Sequence, residues 1–228
     1  MSGTLVLDVD GTLVDTNYHH AVAWFRAFRR FDVTVPVWRI HRAIGMGGDK
    51  LVAAVAGDHV EESRGDDLRA AWEEEFEPML DEVRPLAGAH RLVTTALELD
   101  FAVVLASSGK RRHVDRYLEL VDAPDVESTS SDDVEQSKPA PDLVETALRR
   151  VGSEGRACVV GDSVWDCDAA ARAGLPVVAL RTGGYGEAEL RERGASAVYD
   201  ELDLLRAELT DLPMAQAARE GACGSGTR

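Results

Sequence analysis

Four short apolar runs constrain the fold of this chain more than any other feature. They are TLVLDV at 4–9, FAVVLA at 101–106, ACVVG at 157–161 and PVVAL at 176–180. Their continuous Val and Leu content lacks the apolar–polar alternation of a half-exposed strand, which predicts parallel strands covered on both faces. Helical patterns at 92–99 and 114–121 lie between successive runs. The sequence therefore predicts an α/β fold built on a doubly wound parallel sheet.

One long segment interrupts the alternation of strand and helix. From about Thr16 to about Pro85 no run is typical of a strand, whereas apolar and aromatic residues recur at helical spacing. These residues are Ala21, Trp24, Phe25, Phe28 and Phe31, followed by Leu68, Trp72, Phe76 and Met79. The spacing predicts an all-helical insertion at 16–85, with the sheet domain formed by 1–15 and 86–212. We expect the aromatic side chains to pack in the core of the insertion.

Composition limits the partners of the protein. The 228 residues carry a formal net charge of −16, which works against nucleic acid or an anionic membrane surface as a partner because both require a basic face. No apolar run approaches the roughly 20 residues that a bilayer span needs, and the start of the chain has no signal-like pattern. These observations predict a cytoplasmic protein. We expect a monomer or a homodimer, although no sequence pattern decides between them.

Two further features have a structural interpretation. The three cysteines, Cys158, Cys167 and Cys223, have neither paired spacing nor metal-ligand spacing, which argues against a disulfide framework. Residues 213–228 lose apolar periodicity and are enriched in Gly, Ala and Ser. That composition predicts a disordered tail.

Pairs of aspartates follow two of the apolar runs. Asp8 and Asp10 end the first run, and Asp162 and Asp166 follow the third. Ligands bind at the carboxyl ends of strands in open parallel sheets, and carboxylates held close together repel one another unless positive charge lies beside them. Their oxygens suit a hard cation. Capping of the next helix by Asp162 or Ser163 is an equally good interpretation of the second pair alone.

A hydroxyl cluster and a lysine complete the set of strand-end groups. Ser107, Ser108 and Gly109 follow the second run and precede a helical pattern, an arrangement that can bind a phosphate at a helix N-terminus or cap the helix. Lys138 stands in SKPAPD, where two prolines stiffen the backbone around it. Together the clusters place carboxylates, a hydroxyl and a fixed cation at one edge of the sheet.

The four motifs DVDGT, ASSG, SKPAPD and GDSVWD, in this order, resemble those of the haloacid dehalogenase-like hydrolases. The resemblance covers residue 4 to about 200 and is strongest to the phosphatase branch with a helical (C1-type) cap after the first strand. It implies a Rossmann-like core, a helical cap over the site and Mg²⁺ as cofactor. Phosphoglycolate phosphatases and β-phosphoglucomutases are the similar proteins.

The resemblance also implies roles for individual residues. Asp8 would be the nucleophile that attacks phosphorus, and Asp10 would act as acid and then as base. Asp8, the backbone carbonyl of Asp10, and Asp162 would bind Mg²⁺, and Asp166 would complete the metal site by orienting the metal's waters or neighbouring groups. A further set, Ser107, Ser108, Gly109 and Lys138, would bind the phosphoryl oxygens.

The cap is expected to read the leaving group through the loop RIHRAIGMGGDK at 39–50. Its basic residues Arg39, His41, Arg42 and Lys50 could meet a second anionic group on the substrate, or could form a solvated basic surface. His20 lies where the β-phosphoglucomutases have a histidine near the catalytic aspartate, and His19 and Trp24 are similarly ambiguous.

Three functions follow from the resemblance. The first is a Mg²⁺-dependent phosphomonoester hydrolase of a small phosphorylated metabolite, phosphoglycolate-like or a sugar phosphate. The second is a sugar-phosphate mutase, although Asp49 stands where the mutases have an arginine. The third, a non-catalytic phosphate-binding protein, is disfavoured because binding alone requires neither Asp8 nor Asp10.

Overall fold

The structure is a computed structural model in which residues 3–153 and 155–216 are described. Six strands form a parallel sheet in the order β3-β2-β1-β4-β5-β6, and a short seventh strand pairs antiparallel with the start of β4. The strands are β1 (Gly3–Leu7), β2 (Phe101–Ala106), β3 (Glu127–Thr129), β4 (Arg156–Gly161), β5 (Val177–Leu180), β6 (Ala195–Tyr199) and β7 (Ala215–Gln216). The four predicted runs correspond to β1, β2, β4 and β5, which confirms the predicted α/β class.

Helices connect the strands and fill the long insertion. The α-helices are α1 (Asn17–Arg30), α2 (Val37–His41), α3 (Gly48–Ala56), α4 (Asp58–Phe76), α5 (Ala89–Glu98), α6 (Arg111–Leu120), α7 (Asp142–Arg150), α8 (Val164–Arg172), α9 (Glu187–Glu192) and α10 (Leu202–Ala207). Single 3-10 turns occur at Glu77–Met79, Ser131–Asp133, Arg181–Gly183 and Leu209–Asp211. Within the described residues, no helix combines the length and apolarity that crossing a bilayer requires.

The central strand β1 shows why the apolar runs do not alternate. Leu5 and Leu7 pack into the hydrophobic cluster on one face of the sheet, and Val6 packs into the cluster on the other face. All three side chains have no exposed surface. Since both faces are covered, every position of the strand is selected for apolar character.

The inserted helices α1–α4 have a hydrophobic cluster of their own. It contains Trp24, Phe28, Ile40, Leu51 and Leu68, all buried. The helical spacing seen in the sequence is therefore the spacing of a core-facing stripe. The boundaries of the insertion at residues 16 and 85 stay a prediction. The separate hydrophobic cluster of α1–α4 agrees with them.

Three strands are not predicted by the apolar runs. β3 has three residues at one edge of the sheet and contains Ser128 and Thr129, and β6 forms the other edge and is partly exposed. Short edge strands lack the continuous apolar signal of buried ones. β7 falls inside the segment predicted to be disordered, so that prediction is wrong for Ala215–Gln216; residues 217–228 lie outside the described residues.

Candidate active site

The ends of β1 and β4 bring the first and third motifs together. These two strands are paired in the sheet, and the backbone N–H of Asp8 donates to the carbonyl of Val160 at 2.8 Å. Asp8 and Asp162 therefore leave adjacent strand ends, and Asp166 follows one turn into α8. One carboxylate oxygen from each of the three aspartates lies within 4.8 Å of the others. All three side chains are buried.

Lys138 is the cation inside this carboxylate cluster. Its Nζ contacts Oδ1 of Asp8 and lies 2.7 Å from Oδ1 of Asp166. The side chain is only 2% exposed. Burial lowers the pKa of Lys138, but the negative charges of Asp166 and Asp8 outweigh it and raise the pKa overall. The lysine is therefore charged, and its ammonium is fixed rather than solvated.

The cluster retains an excess of negative charge. Burial and the neighbouring carboxylates raise the pKa of Asp8 well above its ordinary value, although Lys138 opposes the shift. Burial and the charge of Asp166 likewise raise the pKa of Asp162 to about 7. One ammonium for three buried carboxylates leaves room for a further positive charge. The donor set, buried hard oxygens only, fits Mg²⁺.

Asp10 lies apart from this cluster and has its own set of donors. Thr16 Oγ1 donates to its Oδ1 at 2.7 Å, His20 Nε2 lies 3.0 Å from the same oxygen, and Ser107 Oγ donates to its Oδ2 at 3.2 Å. Burial would raise the pKa of Asp10, but the hydrogen bond and charge of His20 and the bond from Thr16 lower it to about 2. The two carboxylates of the first motif therefore occupy different electrostatic environments.

The turn after β1 separates these two carboxylates. Gly11 has a φ of +78°, a conformation that favours glycine, and a Cβ there would overlap the side chains of Asn17 and Asp162. Beyond the turn, Thr12 Oγ1 donates to Asp162 at 2.9 Å and Asn17 Nδ2 donates to its other oxygen at 2.8 Å. The first motif therefore also orients the carboxylate of the fourth.

The capping interpretation of the fourth motif is correct for Ser163. This residue is the N-cap of α8, and its Oγ accepts from the N–H of Asp166 at 3.4 Å. The Asp166 carboxylate in turn accepts from the N–H of Ser163 at 3.1 Å. This capping box uses Oδ2 of Asp166 and leaves Oδ1 toward Lys138. Capping thus positions Asp166 in the cluster.

The second motif approaches the site from β2. The N–H of Gly109 donates to Ser107 Oγ at 2.9 Å, and Ser108 Oγ donates to the carbonyl of Gly45 in the insertion at 3.2 Å. The cations that follow are directed elsewhere. Lys110 contacts the carboxylate of Glu73 in α4, and Arg112 pairs with it at 2.6 Å.

A cavity of about 430 Å³ separates the sheet edge from the insertion. Its lining includes five of the predicted site residues: Asp8, Asp10, His20, Ser108 and Gly109. Four others, Ser107, Lys138, Asp162 and Asp166, are buried and are not part of the lining. The chain therefore encloses a space for a ligand, with Asp8 and Asp10 at its inner end.

Comparison with known sequences identifies the family of this chain. A family profile described as haloacid dehalogenase-like hydrolase matches residues 3–174. The protein is a haloacid dehalogenase-like hydrolase. The match spans the sheet core through α8 together with the helical insertion, so it includes all four motifs.

Relatives place this hydrolase in the phosphatase branch of the family. It is 31% identical over 212 residues to the chloroplastic protein SUPPRESSOR OF QUENCHING 1 of Arabidopsis thaliana, matching 87% of this chain but spanning only 19% of that relative. It is 26% identical to a phosphoglycolate phosphatase of Mesorhizobium japonicum, covering 91% of this chain and 94% of the relative. A crystal structure of a hydrolase from Pseudomonas syringae has a TM-score of 0.87 at 29% identity, covering 92% of this chain and 99% of the other.

Two predicted cap residues of the hydrolase do not reach the cavity. Arg42 contacts Glu189 of α9, and its guanidinium lies 4.0 Å from the ring centroid of Tyr185. Lys50 Nζ donates to Gln136 at 3.3 Å. Both side chains hold the insertion against the core and are absent from the cavity lining. His20, by contrast, lies inside.

Other residues of the hydrolase also line its site, and of these Arg69, Glu73 and Glu135 were not predicted to do so. Charged residues Asp49, Arg69, Glu73, Lys110 and Glu135 face the cavity, as do the aromatic Trp24 and Trp72. The helical periodicity of Trp24 and Trp72 correctly predicts that they pack within the insertion, but it cannot show that a cavity lies beside them. For Arg69 and Glu73 the sequence contains no comparable signal, because charged residues on a helix are most often solvated.

Proposed function

We propose that the protein is a Mg²⁺-dependent phosphomonoester hydrolase acting on a small phosphorylated metabolite through an aspartyl-phosphate on Asp8. The observation that carries the proposal is the division of the first motif into two carboxylates. Asp8 lies beside Lys138 and the two aspartates of the fourth motif, whereas Asp10 is held by three donors of its own. Nucleophilic and acid–base catalysis require two such differently placed groups.

Asp8, Asp162 and Asp166 are the carboxylates that would hold the ion, with the backbone carbonyl of Asp10 a further predicted ligand. When bound, Mg²⁺ supplies positive charge that reduces repulsion between an anionic nucleophile and an anionic phosphate. Lys138 is the positive charge that the protein itself places beside the Asp8 carboxylate. We expect it to neutralise phosphoryl oxygens as well.

The proposed reaction has two displacements. In the first, a carboxylate oxygen of Asp8 bonds to phosphorus, the ester P–O bond breaks, and the leaving oxygen takes a proton from Asp10. In the second, Asp10 takes a proton from water, the water oxygen bonds to phosphorus, and the bond to Asp8 breaks. Inorganic phosphate leaves, and Asp10 again holds the proton needed for the next cycle.

The environment of Asp10 suits the second displacement directly. Its pKa of about 2 keeps the carboxylate ionised and ready to accept a proton. The first displacement requires the protonated form. A phosphate ester beside Asp10 adds negative charge, which raises the pKa of the carboxyl in the required direction.

A sugar-phosphate mutase is the second candidate, favoured by one contact. His20 lies 3.0 Å from Asp10, as the resemblance to the β-phosphoglucomutases leads one to expect. Against it, Asp49 occupies the position of the mutase arginine, and its carboxylate accepts a hydrogen bond from Ser137. The hydrolase proposal therefore has the broader support. A binding-only protein would have no need of the acid–base group that three donors hold in place.

The first experiment measures phosphate release from a panel of esters, including phosphoglycolate and hexose phosphates, with and without Mg²⁺. Asp8→Asn keeps the shape of the side chain but lacks the nucleophilic charge, so we expect turnover to fall at least about 1,000-fold. Asp15→Asn, at an exposed position seven residues away, is the matched control and should retain wild-type turnover.

Two results would contradict the proposed function. Retained turnover in folded Asp8→Asn protein would exclude the aspartyl-phosphate. Conversion of β-glucose 1-phosphate to glucose 6-phosphate without phosphate release would favour the mutase.

A further inference from the structure

The cavity above Asp8 is larger and more apolar than a two-carbon leaving group requires. Its volume of about 430 Å³ falls in the range of sites that enclose whole organic ligands. Much of the wall is formed by the apolar side chains Trp24, Ile44, Met46, Leu51, Trp72 and Val134. Apolar surface of this kind gains stability by covering apolar surface of a ligand.

Two stacked tryptophans contribute to this wall, Trp72 partly exposed and Trp24 with 3% of its surface exposed. The rings of Trp24 and Trp72 lie 5.5 Å apart, centroid to centroid, at an interplanar angle of 19°. The stack continues from Trp72 to His20 at 5.6 Å, and His20 in turn lies beside Asp10. An apolar group that leaves the phosphate at Asp10 therefore meets this aromatic cluster next.

The cations that line the cavity are already paired. Lys110 contacts Glu73. Arg69 pairs with Glu61 and with Asp66, each at 2.9 Å, and donates to the carbonyl of Gly48 at 3.1 Å. Within the described part of the lining, carboxylates therefore already engage both Lys110 and Arg69, which are not available for a second anionic group of a substrate.

The remaining charges in the lining are negative. Asp49 and Glu135 join Asp10 around the cavity, whereas Glu73 is the partner of Lys110. A carboxylate on the leaving group would be taken out of water into the neighbourhood of like charges, which is unfavourable on both counts. An uncharged leaving group avoids both costs.

We infer that the substrate is a phosphomonoester whose leaving group is uncharged and packs an apolar face against Trp24 and Trp72. This inference rests on the proposed function and narrows it. Of the two predicted substrate classes, a sugar phosphate has an uncharged leaving group, whereas phosphoglycolate carries a carboxylate into this cavity. The name of the Mesorhizobium relative therefore does not transfer to this chain.

Calorimetric titration of wild-type protein with Mg²⁺ and non-hydrolysable phosphonates tests the inference without turnover. Benzylphosphonate presents an uncharged ring, 4-carboxybenzylphosphonate adds a carboxylate to the same ring, and phosphonoacetate carries a carboxylate without a ring. We expect benzylphosphonate to bind at least 10-fold more tightly than either acid. Equal or tighter binding of either acid would overturn the inference.

Phosphate release in parallel separates this outcome from the proposed function. If phosphoglycolate is hydrolysed efficiently and phosphonoacetate binds best, the inference fails and the hydrolase stands. If benzylphosphonate binds best but no ester in the panel is hydrolysed, the pocket assignment holds and the hydrolase proposal fails. If no phosphonate binds, the inference fails, and phosphate release alone decides the hydrolase proposal.

A variant in the cavity wall sharpens the test. Met46 lines the cavity and is partly buried, so Met46→Lys adds a cation there, and Met46→Leu is its uncharged control. We expect the lysine variant to improve binding of 4-carboxybenzylphosphonate relative to benzylphosphonate at least 5-fold, with the leucine variant unchanged. If folded Met46→Lys protein still prefers benzylphosphonate to 4-carboxybenzylphosphonate by the wild-type factor, the leaving group does not lie beside Met46, and the assignment is overturned.

Discussion

The sheet edge and the facing wall of the insertion border the same cavity but differ in the charge and polarity of their side chains. At the edge, Asp8, Asp166 and Lys138 are buried, and Lys138 contacts both carboxylates, so each charge is fixed by a partner. On the wall, Trp24 and Trp72 contribute apolar side chains, and Glu73 of α4 contacts Lys110, a partly exposed lysine of the core. The edge concentrates charge around one reacting carboxylate, whereas the wall combines apolar side chains with carboxylates and paired cations.

The difference indicates how the two regions divide the work. Buried charges with fixed partners are suited to a reaction at one atom, because their fields are strong and need no rearrangement. An apolar wall adapts to the shape of whatever group leaves, and it discriminates mainly by size and charge. We therefore expect changes at the edge to abolish activity and changes in the wall to alter which substrate is accepted.

Replacing the buried lysine should have the largest effect on stability. Lys138→Met leaves buried carboxylates without their cation, and the free energy of unfolding should fall by about 3–5 kcal/mol. Lys110→Met, which removes a partly exposed lysine facing the cavity, should cost about 1 kcal/mol or less. Urea denaturation of both variants measures the difference. Equal losses would contradict the distinction between a buried cation and a partly exposed one.

Histidine 113, beneath the aromatic stack, should make stability depend on pH. Burial lowers the pKa of His113 to about 4, with the charges of His20 and Arg112 acting in the same direction and Asp10 and Glu77 opposing them. The unfolded chain keeps the ordinary value of 6.5 and so binds more protons below it. The stabilising contribution of the neutral ring is therefore present above pH 6.5 and is lost as the pH falls toward 4.

Between pH 7 and 5, we expect His113 to account for about 2 kcal/mol of lost stability. Urea denaturation at both pH values measures the loss, and His113→Phe should reduce it. His59→Gln, at an exposed position of α4, is the control and should keep the wild-type loss. An unchanged loss in His113→Phe would exclude this residue as its source.

His20 connects the two regions, since it touches Asp10 and stacks on Phe76 with ring centroids 4.1 Å apart. His20→Phe keeps the stacking but removes the contact that helps to position Asp10. We expect kcat to fall about 10- to 100-fold with a smaller change in KM. His19→Phe, on the same helix but outside the cavity lining, should stay within about twofold of wild type. Equal kcat values for the two variants would show that the contact of His20 with Asp10 does not contribute to catalysis.

The pair that closes the insertion on the core should have the smallest effect. Arg42 and Glu189 are in contact, with side chains 35% and 39% exposed. A double-mutant cycle with Arg42→Ala and Glu189→Ala should give a coupling free energy of about 0.2–1 kcal/mol. A coupling as large as the loss in Lys138→Met would mean that this pair, too, behaves as a buried one.

The sheet and its edge were largely predictable from the sequence. Residues that follow β1 and β4 were expected to meet because carboxyl ends of paired parallel strands share an edge, and Asp8 and Asp162 do so. Short edge strands such as β3 were not predicted, because three residues with polar side chains carry too little pattern. The role of Asn17, which orients Asp162 across 145 positions of sequence, depends on folding that no local pattern reports.

The cap was predictable as a helical segment but not as a binding wall. Basic residues near the glycine loop were reasonable candidates for an anionic substrate, yet Arg42 is used in the contact with the core. Which helical residues border a cavity depends on how α1, α3 and α4 pack over the sheet edge.

The sequence by itself determined the α/β class, the four motifs and therefore the family, because those depend on local patterns and on the order of strands along the chain. Only the tertiary structure decided that Asp8 and Asp10 occupy separate environments, that Arg69 and Lys110 in the cavity lining are paired with carboxylates, and that Trp24 and Trp72 stack beside the cavity. These properties arise from distances between residues far apart in sequence, and such distances are fixed only when the elements pack.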